Sequence, residues 1–349
     1  MQGGWKQEEV PGAADGAWPP VSVIVPIYNE VAFIRRSLGA LLEQDYPGMY
    51  EVLCIDGMSD DGTRDVIMEL TAREPRLRLI DNPKRVIPSA LNTGFRAAKY
   101  ELVARMDAHT LAPPEYLRRC VEALQTSGAE CVGGRWEYRG ETYSGCAIAA
   151  AMESRFGVGT GQWRGRSTAG EVDTVPYGLW KRERVLALGG FDESILINED
   201  YELCYRLRKA GGRVVYSPAI RSLYLPRQDL RSLWKQYFRY GQWKARVLRK
   251  HPASFQARHG AAPLFVAGVV SGAPLAFVWA PARWVYLVGL AVYGLMALYF
   301  SLRQAARHGW RYLPLIPLVF LTLHLAWGTG FWAGVWRWWV RGEGSREPA

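Results

Sequence analysis

The chain is poor in cysteine, and its five, Cys54, Cys120, Cys131, Cys146 and Cys204, show neither CxxC spacing nor a matching histidine pair. An odd, scattered set of this kind argues against a disulfide framework and a zinc site, and it fits small core side chains in a reduced compartment. Residues 1–20 lack the apolar core of a secretory signal. They read as a flexible tail, so the N-terminal domain is expected to stay in the cytosol. No internal repeat or low-complexity block is visible. Acid is almost missing between Arg227 and Arg258, where nine Lys or Arg residues face only Asp229. Such a patch suits nucleic acid or an anionic membrane, and because it runs into apolar segments the membrane is expected and nucleic acid is not.

Charge then disappears over three runs, 261–281, 284–302 and 312–336. Each is near the ~20 residues that span a bilayer, and buried soluble helices of that length normally carry charged positions. The third run holds Pro314 and Pro317 and is rich in Gly and Trp. It reads either as a span or as a broken, re-entrant segment, giving two to three spans. Arg303, Arg307 and Arg311 agree with a cytosolic second loop, whereas a third span would put Arg337, Arg341 and Arg346 outside, against the positive-inside tendency.

The first hundred residues alternate strand and helix signals, which implies a mostly parallel sheet covered by helices. Apolar runs at 21–25, 51–55 and 101–106 read as strands, with a further strand at 76–80 and a helix at 88–99. Residues 172–180 read as a strand and 199–210 as a helix. Gly133-Gly134-Arg135 and the basic, Gly-rich stretch 157–170 suggest a loop over the site, where Trp163, Arg164 and Arg166 either touch substrate or are simply solvated. From Asp229 to Lys250 the apolar Leu230, Leu233, Trp234, Tyr237 and Phe238 share one helical face, while Gln236, Arg239, Tyr240 and Trp243 line a second. The division expected is a tail at 1–20, a catalytic domain at 21–226, a basic amphipathic helix region at 227–258, a transmembrane region at 259–340 and a tail at 341–349.

Three acidic stations stand at the ends of apolar runs: Asp56 in CIDGMSDDGT, Asp107 in VARMDAHT, and Glu199-Asp200 in ILINEDYEL. Strand C-termini are where open α/β sheets bind ligands. One Asp there is an ordinary turn former or cap; three, preceded by Pro26-Ile27-Tyr28-Asn29-Glu30, point to a site. Residues i and i+2 on an extended strand end face the same way, so Asp107 and His109 can address one cation. An oxygen-plus-imidazole pair suits Mn²⁺ better than Mg²⁺. The alternative for His109 is a hydrogen-bonding role without metal.

With these stations, and with Gly-Gly-Phe-Asp-Glu at 189–193, the chain resembles the family 2 glycosyltransferases over residues 20–250. Within that family it is similar to the membrane-attached glucosyltransferases of succinoglycan-type exopolysaccharide synthesis. The resemblance implies the GT-A fold: α/β, Rossmann-like, with a mostly parallel central sheet, followed here by an interfacial helix and transmembrane helices. It departs at His109, where a second Asp is usual, and at Gln236-Tyr237-Phe238-Arg239-Tyr240, which only approximates QxxRW.

The resemblance also implies roles. Asp56 would accept the imide N–H of a uracil base, with Pro26, Tyr28 and Glu30 forming the other side of that nucleotide-sugar pocket. Asp107 and His109 would hold a divalent metal on the diphosphate. Asp200 would be the general base for the acceptor hydroxyl, giving inversion, with Glu199 orienting it; a plain helix N-terminal acid pair is the alternative. Asp192 would border the acceptor, and Gln236, Arg239 and Tyr240 would grip the diphosphate and acceptor sugar, although interfacial anchoring also explains Arg239. The implied reaction moves a sugar such as glucose from a UDP-sugar to a lipid-linked glycan at the cytosolic membrane face, alongside other polysaccharide-assembly proteins. A processive polysaccharide synthase and a catalytically silent membrane scaffold are the alternatives.

Overall fold

The computed structural model describes residues 18–159, 161 and 166–342. Trp163, Arg164 and most of the two tails lie outside the described residues. The elements run β1 Val21–Ile27, α1 Ile34–Leu42, β2 Tyr50–Asp56, α2 Thr63–Thr71, β3 Leu77–Asp81, α3 Ile87–Ala97, β4 Leu102–Arg105, β5 Thr110–Leu111, α4 Tyr116–Ser127 and β6 Cys131–Tyr138. Next come α5 Tyr143–Glu153, α6 Arg155–Val158, β7 Gly170–Glu171, β8 Leu179–Lys181, α7 Arg182–Ala187, α8 Glu199–Lys209 and β9 Val214–Tyr224. The C-terminal part holds α9 Leu230–Lys250, α10 Ala261–Val278, α11 Ala280–His308 and α12 Ile316–Gly334, which continues as a wider turn over Val335–Val340.

The apolar runs of β1 and β2 are buried on both faces, as a parallel sheet covered by helices requires. The sheet order is β3-β2-β1-β4-β8-β6-β9-β5, with β7 pairing β9. Strands β3, β2, β1 and β4 are mutually parallel, and the register sets Ile27 opposite Asp56 and Asp56 opposite Asp81. Their C-terminal ends therefore finish along one edge. Helices α1, α2 and α4 seal one face through residues such as Leu38, Ile67 and Val121; α3, α7 and α8 seal the other through Phe95, Val185 and Leu203.

Residues 130–180 differ most from the expectation. Gly133-Gly134-Arg135 lies inside β6, not in a loop, and the chain shifts register there against β9. The expected strand at 172–180 shrinks to β8 because Tyr177 and Gly178 both have positive φ, which breaks an extended run. Helix α5 was not anticipated: its Ala147, Ile148, Ala150 and Ala151 are all buried, so it has no polar face to generate a helical period.

Asp229 caps α9, accepting from the Ser232 N–H at 2.8 Å. The buried side of α9, including Leu233 and Tyr237, packs with α5 and α12, so much of the surface expected at a bilayer interface is covered by protein, while Trp234 and Lys235 stay exposed. Contact is close enough that a Cβ at Gly330 would lie 2.0 Å from the Phe238 carbonyl oxygen, and one at Gly241 2.0 Å from that of Trp327. Gly330→Ala is accordingly expected to lower stability by ~1–3 kcal/mol through overpacking against backbone, read as a lower unfolding midpoint of the full-length protein in detergent. An unchanged midpoint would show that the two helices part at no cost.

Three helices, Ala257–Val278, Ala280–His308 and Ile316–Val340, are long and apolar enough to cross a membrane. The third is continuous and not broken, because Pro317 falls in its first turn, where a missing N–H breaks no helical hydrogen bond. On α11 Trp284, Val285 and Leu295 are exposed, an apolar surface suited to lipid.

Candidate active site

Two loops at the sheet edge are joined by short polar contacts. Asn29, with φ of 53°, exchanges hydrogen bonds with Asp60 at 2.9 and 3.1 Å. The Glu30 N–H donates to Thr63 Oγ1 at 2.8 Å and the Val31 N–H to Asp61 Oδ2 at 3.1 Å. The acids of the Ser-Asp-Asp-Gly-Thr turn thus hold backbone in place. Asp56 behaves likewise: it is fully buried, accepts from Ser59 Oγ at 2.6 Å and pairs with Arg64 at 3.0 Å. Its carboxylate does not line the cavity described next; Gly57 and Asn82 stand there instead. Ser59 and Arg64 engage the oxygens of Asp56 in this structure.

Along this edge lies a cavity of about 1270 Å³. It brings together Pro26, Tyr28, Glu30, Asp107 and His109 with Glu199, Asp200, Gln236, Arg239 and Tyr240. Asp192 is not part of it. That carboxylate pairs with Lys250 and accepts from the Ser194 N–H at 3.0 Å, tying the Gly-Gly-Phe-Asp-Glu turn to the end of α9. Burial alone would raise its pKa, but these partners hold it below the usual carboxylate range.

Arg105, overlooked in the motif reading, is the electrostatic hub. Only 6% exposed, it reaches Asp107 Oδ1 through Nε at 3.2 Å and Glu199 Oε1 through Nη1 at 2.9 Å. The signal was present as an arginine within an apolar strand, two residues before the aspartate. Burial works against its charge, yet the fields of Asp107, Glu199 and Asp200 hold its pKa above the ordinary value. Glu199 responds the other way. Burial and the neighbouring Asp200 push its carboxyl up to about 7, against the pull of Arg105. Asp200 is also raised by burial, opposed by Arg105 and by the Tyr201 N–H that donates to its Oδ1 at 2.7 Å. Helix α8 presents this pair because Asn198 before it adopts φ of 66°, a left-handed turn uncommon outside glycine.

Asp107 and His109 bring a carboxylate and an imidazole to the same cavity. His109 Nδ1 lies 3.1 Å from Glu30 Oε1, the carboxylate–imidazole arrangement that orients a metal-binding histidine, and its Nε2 makes no hydrogen bond among the described residues. Asp107 keeps Oδ2 free of hydrogen bonds, its Oδ1 being taken by Arg105. Among the described residues no group of three His, Cys, Asp or Glu forms a closed cage. Glu30, expected beside the base, lines the cavity with Pro26 and Tyr28 and also contacts His109.

Part of the cavity wall is aromatic. Trp136 stacks on Tyr224 with ring centroids 4.7 Å apart, and Gln236 Nε2 donates to the hydroxyls of Tyr224 and Tyr240 at 3.1 and 3.0 Å. Its Oε1 is buried without a hydrogen-bond partner, a ready acceptor for a sugar hydroxyl.

Residues 22–172 match the family model for glycosyl transferase family 2. The chain is 33% identical, over 89% of its own length and 93% of the other's, to the succinoglycan biosynthesis protein ExoA of Rhizobium meliloti (strain 1021). It is 28% identical to a dolichyl N-acetyl-alpha-D-glucosaminyl phosphate 3-beta-D-2,3-diacetamido-2,3-dideoxy-beta-D-glucuronosyltransferase of Methanococcus voltae, over 66% of this chain and 74% of that one. In fold it is similar, with a TM-score of 0.56 and 22% identity over 90% of both chains, to the mannosyltransferase PcManGT from Pyrobaculum calidifontis, solved with GDP-Man and Mn²⁺. Likeness of sequence sustained along nearly the whole of both chains, on a sheet of matching architecture, makes this protein a family 2 glycosyltransferase of the ExoA type with the GT-A fold.

Proposed function

We propose that the protein transfers a sugar with inversion from a UDP-sugar to a lipid-linked glycan at the cytosolic face of a membrane. The observation that carries this reading is a single cavity lined by Asp107, His109, Arg239 and Asp200 together with residues of the apolar C-terminal helices such as Phe265, Tyr293 and Trp327. The name of one relative, a transferase acting on a dolichyl phosphate-linked sugar, supports a lipid-borne acceptor, and that of another, a succinoglycan biosynthesis protein, supports a role in polysaccharide synthesis.

In this mechanism Asp107 and His109 would hold a divalent metal, which would supply charge neutralisation to the departing diphosphate. Arg239 offers its planar fork to the same phosphates. Tyr28 and Gly57 flank the nucleotide. Asp200 takes the proton from the acceptor hydroxyl as that oxygen attacks the anomeric carbon opposite the diphosphate, and its burial-raised basicity suits that task near neutral pH. Arg105 fixes Glu199 beside it.

A membrane preparation given a panel of labelled nucleotide sugars, with and without Mn²⁺, tests the reading; no transfer from any donor would overturn it. His109→Asp is expected to retain activity and move the optimum toward Mg²⁺, since the donor set becomes all oxygen. An unchanged ratio of Mn²⁺- to Mg²⁺-supported rates would remove His109 from the metal.

A further inference from the structure

The cavity does not end at Asp200. Its wall runs on over Lys244 to Phe265 of α10, Tyr293 of α11, and Leu323 and Trp327 of α12. At about 1270 Å³ it exceeds the ~300–1,000 Å³ typical of a pocket for one drug-sized ligand. A second substrate can therefore occupy it beside the donor.

A buried lysine also lines this cavity. Lys244 is 4% exposed, and its ammonium lies 3.1 Å from the centroid of the Tyr201 ring. Among the described residues it makes no hydrogen bond and no ion pair. Arg258 and His259 line the cavity beside it; Arg258 is held by the buried Asp173, and the His259 Nδ1 accepts from the Gln256 N–H at 3.2 Å. A buried lysine with no carboxylate in direct contact is costly, and burial together with Arg258 pulls its pKa well below the ordinary value against the fields of Asp173 and Asp200. An incoming anion would reverse that cost.

We propose that Lys244, with Arg258 beside it, receives the phosphate of an amphiphilic acceptor whose hydrocarbon chain lies along Phe265, Tyr293 and Leu323. This rests on the reading of a lipid-linked acceptor. The same chemistry is carried by the donor diphosphate, but Asp107, His109 and Arg239 are assigned to that group, whereas Arg258, whose charge acts on Lys244, stands at the start of the apolar helix Ala257–Val278.

Full-length protein in phosphatidylcholine nanodiscs is titrated with farnesyl diphosphate, inorganic pyrophosphate, farnesol and UDP with Mn²⁺. Farnesyl diphosphate is expected to bind ~10-fold or more tighter than pyrophosphate or farnesol, because both ends of the probe find a partner. Lys244→Met should weaken it by ~10- to 100-fold, the usual worth of a charge-assisted hydrogen bond, with UDP affinity unchanged; Lys244→Arg should keep most of it. Equal weakening of UDP would assign the lysine to the donor and overturn the proposal. So would pyrophosphate or farnesol binding as tightly as farnesyl diphosphate in the unaltered protein, a comparison that holds even if Lys244→Met fails to fold. Failure of the wider reading looks different: the unaltered protein would then transfer from no nucleotide sugar, whatever its affinity for farnesyl diphosphate.

Discussion

Asp200→Asn is expected to lower the transfer rate by ~10²- to 10⁴-fold while nucleotide affinity stays near that of the unaltered protein. The amide can keep the 2.7 Å hydrogen bond from the Tyr201 N–H, so the start of α8 is preserved while the proton acceptor is lost. Single-turnover transfer of a labelled sugar and nucleotide titration on the same preparation separate the two effects. Near-normal turnover would sink the assignment. The pH profile adds an independent check. Burial raises the Asp200 carboxyl above the ordinary aspartate range, so the acid limb of kcat/KM belongs above that range, with activity falling as the carboxylate is protonated.

Arg105→Met is expected to be the most damaging change to the fold of the site. It removes the one cation that touches both Asp107 and Glu199 and leaves their carboxylates buried or half-buried without a counter-charge. Breaking a buried pair in this way costs ~3–5 kcal/mol. The loss should depend on pH with a definite sign. Glu199 already has a folded-state pKa raised to about 7, so its protonated form favours the native state below the ordinary glutamate value and that contribution is lost as pH rises toward 7. Without Arg105, which lowers that pKa, the upper bound moves higher. Unfolding midpoints should therefore differ most at pH 8 and less at pH 5. A deficit that is the same at both would mean that Arg105 acts through packing and not through charge.

Much of the catalytic edge was legible because it depends on short-range rules. Apolar runs ending in Asp56 and near Asp107 had to be strands, and β-α alternation had to bring their C-terminal ends to one side. Glu199 and Asp200 were legible as the first turn of a helix. The intramolecular partners of Asp56, Glu30 and Asp192 were not, since each partner is distant in sequence or hidden by loop geometry: Arg64 and Ser59, His109, and Lys250.

Local pattern by itself determined the α/β alternation, the acidic stations and the three apolar C-terminal helices, because strand burial, helix period and span length are each written within ~20 residues. Tertiary structure alone decided which charges are available for chemistry. Carboxylates that look alike in the sequence are sorted by what packs against them: Asp56 is consumed by its own loop, Asp107 keeps one oxygen free, and Asp200 is raised by burial next to Arg105. The same holds for α9, whose buried side meets α12 through Gly241 and Gly330, and whose Lys244 is thereby carried into the cavity. Desolvation and pairing depend on neighbours that the chain brings together only when it folds.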